Sequence, residues 1–319
     1  MRVLLVGPGA VGRYVGAALM AAGHQVVFAA RQRTAQSLVD NGIRLEGPRG
    51  NFHFQDVQVC TDVRTATGTF DIGISCVKLY DAQASAVAWR ELLLRCQAVI
   101  SLQNGTNGAE LVACGAVLDN VFGGMAFVAA ELQSSGVVTY KSDMSSITYG
   151  GPGATKHPAL MALHQGLQDS SSAIQLASSL VEDVRTAQWS KLVGLATNAA
   201  LTCLVRKPAG IVYHDEDLLV LAKQSIHEVA SVGRAVGALI PEDHEERILQ
   251  MLQSFPASMF ASMHHDLAAG RPLELDGLIG PVVQLGRKHG VPTPFHSFAY
   301  ACLKPHINGN LNPSSGVGV

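Results

Sequence analysis

The sequence predicts an α/β N-terminal domain, with a doubly wound parallel sheet, followed by an all-helical C-terminal domain. Three observations carry this. The stretch RVLLVGPGAVGRYVGAALMAAGHQVVFAAR runs from an apolar strand through a glycine turn into a helix, then into a second strand, which is a β-α-β unit. Further apolar runs recur downstream without alternating in polarity, the mark of parallel strands buried on both faces. Beyond about residue 180 long helical patterns replace them. A chain of 319 residues is long enough for about two domains, which places one at 1–180 and the other at 181–319.

In chain order, the first helix covers Val11 to Ala22 and stops at Gly23, and the second strand covers His24 to Ala30. Strands follow at Phe70 to Lys78, Ala98 to Gly105 and Asn120 to Ala130, with helical stretches between the first of them. GVVTYKSDMSSITYGGP reads as a later hairpin or strand pair. The helical half contains Thr186 to Val205, Asp215 to Val236, Glu242 to Phe255, Ser258 to Ala269 and Leu275 to His289. The closing INGNLNPSSGVGV has nothing to bury and reads as a loose tail. No internal repeat is visible.

Composition excludes several classes. The chain is 48% hydrophobic and 15% charged, which fills cores and rules out intrinsic disorder. A net charge of −2 and a pI near 6.6 provide no global field for nucleic acid or an anionic membrane. The six cysteines form no CxxC and the twelve histidines no HExxH, so no metal site is expected. The apolar run before Gly7 is too short for a signal peptide and far shorter than a membrane span. A soluble cytoplasmic protein is the expectation.

Gly7, Gly9 and Gly12 form GxGxxG between strand and helix. The first glycine allows the tight turn, the second lets a pyrophosphate approach the backbone, and the third lets helix and strand pack closely. Ala10 and Val11 open the helix, whose N-terminus offers amides and a positive dipole to phosphates. In this context the motif indicates a Rossmann-type dinucleotide site; a glycine turn that binds nothing is the plain alternative. NAD-binding versions carry an acid about 20 residues further on for the ribose hydroxyls. Here Arg31 stands nineteen residues after Gly12, Arg33 follows, and no carboxylate is adjacent in sequence. A guanidinium grips a 2′-phosphate through charge-assisted bonds, so the pattern favours NADPH over a merely solvated loop arginine.

QWSKLVGLATNAALTCLV reads as a largely buried helix, and Lys191 is the only charged residue between Arg185 and Arg206. Either it is a chemical centre, or its stem snorkels along Trp189, Leu192 and Val193.

Taken together, GPGAVG, AARQR, SCVKLYDA, SLQNGTNG, WSKLVGLATNAALTCL, ASMHHDLAAGRPLELDGLIG and HGVPTPFHSFAYACLK resemble the ketopantoate reductase family, in order, over roughly residues 1 to 305. The resemblance implies a dinucleotide-binding domain, a helical domain and a cleft between them, where NADPH reduces the ketone of 2-dehydropantoate to pantoate for pantothenate biosynthesis. It assigns Lys191 as general acid, Asn104 as the residue beside substrate and nicotinamide, and Lys78 as a lysine near the cofactor. Ser262 matches the serine that binds the substrate carboxylate, and Glu274, twelve residues on, the glutamate that holds its hydroxyl. Singly, each has a plainer reading: a turn at Asn104–Gly105, a solvated strand end at Lys78, a small residue at a helix crossing for Ser262, an exposed first-turn acid for Glu274.

The chemistry is coherent with the resemblance. Gly7, Lys78 and Asn104 all sit at the carboxyl ends of strands, where doubly wound sheets bind ligands. Hydride arriving at a ketone leaves charge on oxygen that a lysine can quench, and burial brings a lysine pKa toward the working range. One departure stands out. The family commonly carries asparagines four and eight residues after the lysine, and these positions are Leu195 and Ala199. Asn198, seven residues after Lys191, either replaces one lost amide as a substrate contact or satisfies a group in the core. The expected protein is therefore an NADPH-dependent reductase of a small 2-oxo acid. Its rivals are a paralogue with the same machinery acting on another branched 2-oxo acid or 2-hydroxy acid, and a catalytically silent NADP sensor. A homodimer through the helical domain is compatible with the sequence.

Overall fold

The computed structural model describes residues 1–141 and 145–310. The chain divides into two units, Met1–Val184 and Arg185–Val319.

In the first unit, β1 (Arg2–Val6) leads to α1 (Ala10–Ala21), β2 (Gln25–Ala29) and α2 (Gln32–Asn41). A hairpin of β3 (Ile43–Gly47) and β4 (Gly50–Phe54) precedes β5 (Gln58–Cys60) and β6 (Phe70–Ser75). Then come α3 (Ala82–Ala88), α4 (Arg90–Leu93), β7 (Cys96–Ser101), α5 (Gly108–Ala116) and β8 (Val121–Phe127). The unit closes with β9 (Ala130–Leu132), β10 (Val138–Tyr140), β11 (Ser146–Gly150), α6 (Pro158–Gln168) and β12 (Ala177–Val181).

The main sheet has eight strands in the order β12-β11-β8-β7-β6-β1-β2-β5. From β5 to β8 all pairings are parallel, and β11 joins β8 antiparallel. Alternate residues of each strand feed two cores. Val3, Leu5, Ile72 and Ile74 face α1 and α6, while Leu4, Val6 and Val99 face the side of α3 to α5. Burial on both faces is why these strands read as continuous apolar runs.

A second sheet, β4-β3-β10-β9, packs on α1 and was not foreseen. Its strands are short, and Leu45, Val138 and Tyr140 supply the buried face. Tyr140 meets Tyr14 of α1 edge-on at 5.5 Å and donates its hydroxyl to Gly50 O at 2.8 Å. This sheet corrects two expectations. The strand over Asn120 to Ala130 is β8 in one sheet and β9 in the other. The stretch from Gly136 to Pro152 is no hairpin, because β10 pairs with β9 and β3 while β11 pairs with β8 and β12. Residues 142–144 of that stretch, and 311–319 of the expected tail, lie outside the described residues.

The second unit consists of α7 (Val184–Val205), α8 (Ala209–Val212), α9 (Glu216–Ala235), α10 (His244–Gln253), α11 (Ser262–Ala268), α12 (Leu275–Leu278), α13 (Gly280–His289) and α14 (Pro294–Leu303). The helix expected over Ser258 to Ala269 is shorter, because the backbone around Ala257–Met259 pairs with the start of α8: Ala209 N donates to Met259 O and Gly210 N to Ala257 O. The helix expected over Leu275 to His289 breaks before Gly280, where Pro281 opens a new first turn in which its missing N–H costs nothing. Among the described residues no helix is long and apolar enough to cross a membrane.

A buried polar chain joins three helices of this unit. Glu228 of α9 accepts from the backbone N–H groups of Phe295 and His296, at 2.9 and 3.0 Å, and its carboxylate lies 2.8 Å from His296 Nδ1. The pair thus caps α14 with a charge at its positive end. Ser225 Oγ lies 3.3 Å from His296 Nε2 and 2.9 Å from Thr197 Oγ1 of α7. Burial by itself would raise the Glu228 carboxyl, and the His296 side chain and the two amides override it, holding it below the usual value.

Glu228→Ala should therefore destabilise the helical unit by about 3–5 kcal/mol, since it leaves a buried imidazole and two amides without their acceptor. The depressed carboxyl contributes stability that is present above its unfolded pKa of about 4.3 and is lost as pH falls through the lower folded value. Urea unfolding at neutral and acidic pH checks both. The gap between wild type and variant should be full at pH 7 and narrow in acid.

Candidate active site

The glycine turn sits at the carboxyl end of β1. Gly7 has φ +88°, and a Cβ there would fall 2.5 Å from Val77 Cγ1, so only glycine fits. A Cβ on Gly12 would meet Gly7 O at 2.4 Å, which shows how closely α1 approaches the turn. Gly9 differs: it is exposed and a Cβ there would meet nothing within 4 Å. It is also the N-cap of the twelve-residue α1, whose first turn has no side-chain cap and no acid. The turn is packed tight behind Gly7 and Gly12, and open at Gly9 beside the amides of Ala10 and Val11. That cradle fits a dinucleotide diphosphate.

The segments that follow β2, β6 and β7 complete this rim. Arg31 follows β2 as the N-cap of α2, with its side chain 82% exposed. The sequence places no carboxylate beside it, but the fold brings Asp81 to 3.8 Å from its Nη2. Asp81 is itself partly exposed, and such a pair holds an arginine with only about 0–1 kcal/mol. Lys78 lies three residues past β6 as the N-cap of a short turn over Leu79–Asp81, and is half-buried. Asn104 lies three residues past β7, half-buried, before Gly105 at φ +105°. Lys78 and Asn104 are therefore loop residues, not the strand ends expected.

Sequence reading missed what holds the Asn104 loop. Gln103 Nε2 donates to Ser75 Oγ at 2.7 Å, and Ser101 Oγ donates to Gln103 Oε1. All three side chains are buried, and they tie the ends of β6 and β7 together. The signal was two polar residues, Ser101 and Gln103, ahead of Asn104 in a run otherwise apolar.

In the helical unit, Lys191 lies in the second turn of α7, among Trp189, Leu192 and Val193, all buried. Desolvation pulls its ammonium down to about 8, and the Glu274 carboxylate acts in the opposite direction. Glu274 precedes α12 and is only 5% exposed, so it is not a solvated first-turn acid. A half-buried ammonium lowered by desolvation, with a buried carboxylate in electrostatic reach, is an acid poised near neutral pH. Ser262 is exposed at the first position of α11. Asn198 is buried, and its Oδ1 accepts from Tyr213 Oη at 3.0 Å, so its carbonyl end serves a core hydroxyl. Leu195 packs partly buried against the helical core, and Ala199 is inside it. Among the described residues no group of His, Cys, Asp and Glu comes together to hold a metal ion.

Comparison with known proteins gives a consistent answer across both units. Residues 3–153 match the family described as Ketopantoate reductase PanE/ApbA, and residues 183–307 match its C-terminal counterpart. A 2-dehydropantoate 2-reductase of Mycobacterium tuberculosis is 29% identical over 308 residues, covering 96% of this chain and 98% of that protein. An uncharacterised oxidoreductase of Bacillus subtilis is 25% identical over 304 residues, covering 95% and 98%. The crystal structure of a PanE/ApbA family ketopantoate reductase from Ralstonia eutropha superposes with a TM-score of 0.82 at 28% identity, over 96% of this chain and 98% of that one. A D-mandelate dehydrogenase in ternary complex with NADH and anilino(oxo)acetate superposes at 0.83, over 96% and 98% of the two chains; at 17% identity that likeness is one of fold. With an open glycine cradle in one unit and a desolvated lysine in the other, this chain belongs to the ketopantoate reductase family, and is an oxidoreductase that uses a nicotinamide dinucleotide.

Proposed function

We propose that this enzyme reduces a branched 2-oxo acid, 2-dehydropantoate first among them, with NADPH as the reductant and Lys191 as the general acid. The observation that carries the reading is Lys191 itself, a lysine brought down to about 8 by burial, with Glu274 nearby. The amides of Gly9, Ala10, Val11 and Gly12 would hold the diphosphate, and Arg31 the 2′-phosphate. Lys78 and Asn104 would line the nicotinamide end. When bound, the reduced nicotinamide supplies hydride to the carbonyl carbon.

The protein's own residues do the rest. As charge develops on the carbonyl oxygen, Lys191 stabilises it and delivers its proton. Glu274 keeps enough negative charge near Lys191 that burial does not discharge the ammonium below neutral pH. Ser262 offers a hydroxyl to the substrate carboxylate, and Glu274 accepts from a substrate hydroxyl. Asn198, with its carbonyl held by Tyr213, has its amide nitrogen for any substrate contact. Leu195 and Ala199 favour a second reading within the same chemistry, a more apolar 2-oxo acid in place of 2-dehydropantoate.

NADPH oxidation against a small panel of 2-oxo acids tests the reading directly; no turnover on any of them would end it. On the best substrate found, Lys191→Ala should keep the fold and bind NADPH normally, yet reduce about 10² to 10⁴-fold more slowly. Because the acid must be protonated, wild-type reduction should fall as pH rises through about 8. A variant with near-normal turnover would return Lys191 to a packing role.

Arg31→Ala should weaken NADPH binding by roughly ten- to a hundredfold while leaving NADH binding almost unchanged, because hydrogen bonds to a charged group contribute about 1.5–3 kcal/mol. Fluorescence titration of both cofactors decides, and equal losses would remove Arg31 from the 2′-phosphate.

Ser262→Ala and Glu274→Ala should raise the Michaelis constant for the 2-oxo acid or lower turnover, with NADPH affinity within a few-fold of wild type. Wild-type kinetics in both would show that the substrate is gripped elsewhere.

A further inference from the structure

Arg13 follows the last glycine of the turn and is only 3% exposed. Its Nε donates to Pro8 O at 3.1 Å, and its Nη1 donates to Gly136 O at 3.0 Å. Pro8 lies inside the glycine turn, between Gly7 and Gly9. Gly136 is at the tip of the β9–β10 connection, with φ +84°, where Gln133 N donates to Val137 O and Gly136 N to Gln133 O. A Cβ on Gly136 would stand 3.5 Å from Ser37 Oγ of α2. One guanidinium therefore ties the turn to a second piece of backbone that reaches α2.

The charge of Arg13 is the unusual part. Burial disfavours it, and no carboxylate among the described residues lies within ion-pair distance of it. A buried charge is ordinarily paired, because desolvation otherwise works against the fold. Two neutral carbonyls satisfy some of its donors but bring no counter-charge. The turn that Arg13 supports is the place where a diphosphate brings negative charge, and through a low-dielectric interior that attraction is screened far less than in water.

We propose that Arg13 is a positioning residue for cofactor binding: it locks the glycine turn through the Pro8 carbonyl and meets the charge of the diphosphate from inside the fold. This rests on the dinucleotide reading of the turn and adds to it a cationic partner outside the motif. The planar fork suits the site, since its Nε and Nη1 donate to the two carbonyls in fixed directions that a single ammonium does not reproduce. The unpaired charge is retained because it is paired when the cofactor is bound.

The test compares wild type, Arg13→Lys and Arg13→Met for binding of NADPH and of adenosine 2′-monophosphate, which has the 2′-phosphate and no diphosphate. Arg13→Met should weaken NADPH by about tenfold or more, and Arg13→Lys, which keeps the charge and loses the fork, by a smaller factor. Both should bind adenosine 2′-monophosphate within about twofold of wild type and turn over normally at saturating NADPH. A parallel loss of both ligands would make Arg13 merely structural, and NADPH affinity within twofold of wild type in both variants would remove it from cofactor binding; either result overturns the proposal. If Arg13→Met does not fold, the same split in Arg13→Lys decides. A wild-type protein that binds neither NADPH nor NADH would instead overturn the dinucleotide reading, and the proposal with it.

Discussion

The N-terminal unit depends on how closely α1 approaches the end of β1. A single methyl on Gly12 would press on the Gly7 carbonyl, and one on Gly16 would enter the Phe28 ring. With both absent, the helix axis lies near the strand and its uncapped N-terminus opens beside the exposed Gly9. The same proximity buries Tyr14 against Tyr140 and so seats the second sheet. One steric allowance therefore sets the cradle, the core beneath it and the position of β9 and β10.

Buried charge is handled in three different ways. Glu228 is fully satisfied by His296 and two amides, and its carboxyl stays below the usual range despite burial. That arrangement joins α9 to α14 and contributes structure. Lys191 is desolvated and only partly offset by Glu274, so its pKa falls into the range where proton transfer is efficient. Arg13 has hydrogen bonds and, among the described residues, no carboxylate within ion-pair distance. The less completely the fold satisfies a buried ion, the more that ion has to offer a ligand.

The departures around Lys191 follow the same logic. Leu195 and Ala199 put apolar groups four and eight residues after Lys191 on α7, and the nearby Asn198 has its carbonyl committed to Tyr213. A helix face that is less polar solvates the lysine less.

Much of this was legible in the sequence. Gly7, Gly9 and Gly12 announce their turn because each marks a local steric requirement, and unbroken apolar runs announce parallel strands because both faces are covered. Lys191 was conspicuous as an isolated charge in a buried helix, and the order of seven short motifs carried the family. The second sheet was not legible, since β9 and β10 have three residues each and their apolar faces have meaning only against α1. Nor was the break at Gly280, where Pro281 continues a helical pattern but lacks the N–H to continue the helix. The proximity of Asp81 to Arg31, the Ser75–Gln103–Ser101 ties, and the two carbonyls gripped by Arg13 all join residues distant in sequence or across a turn. Local pattern determined which elements form and where the glycines must stand. Only the tertiary structure decided which charges are paired, because desolvation and distance are properties of the packed chain.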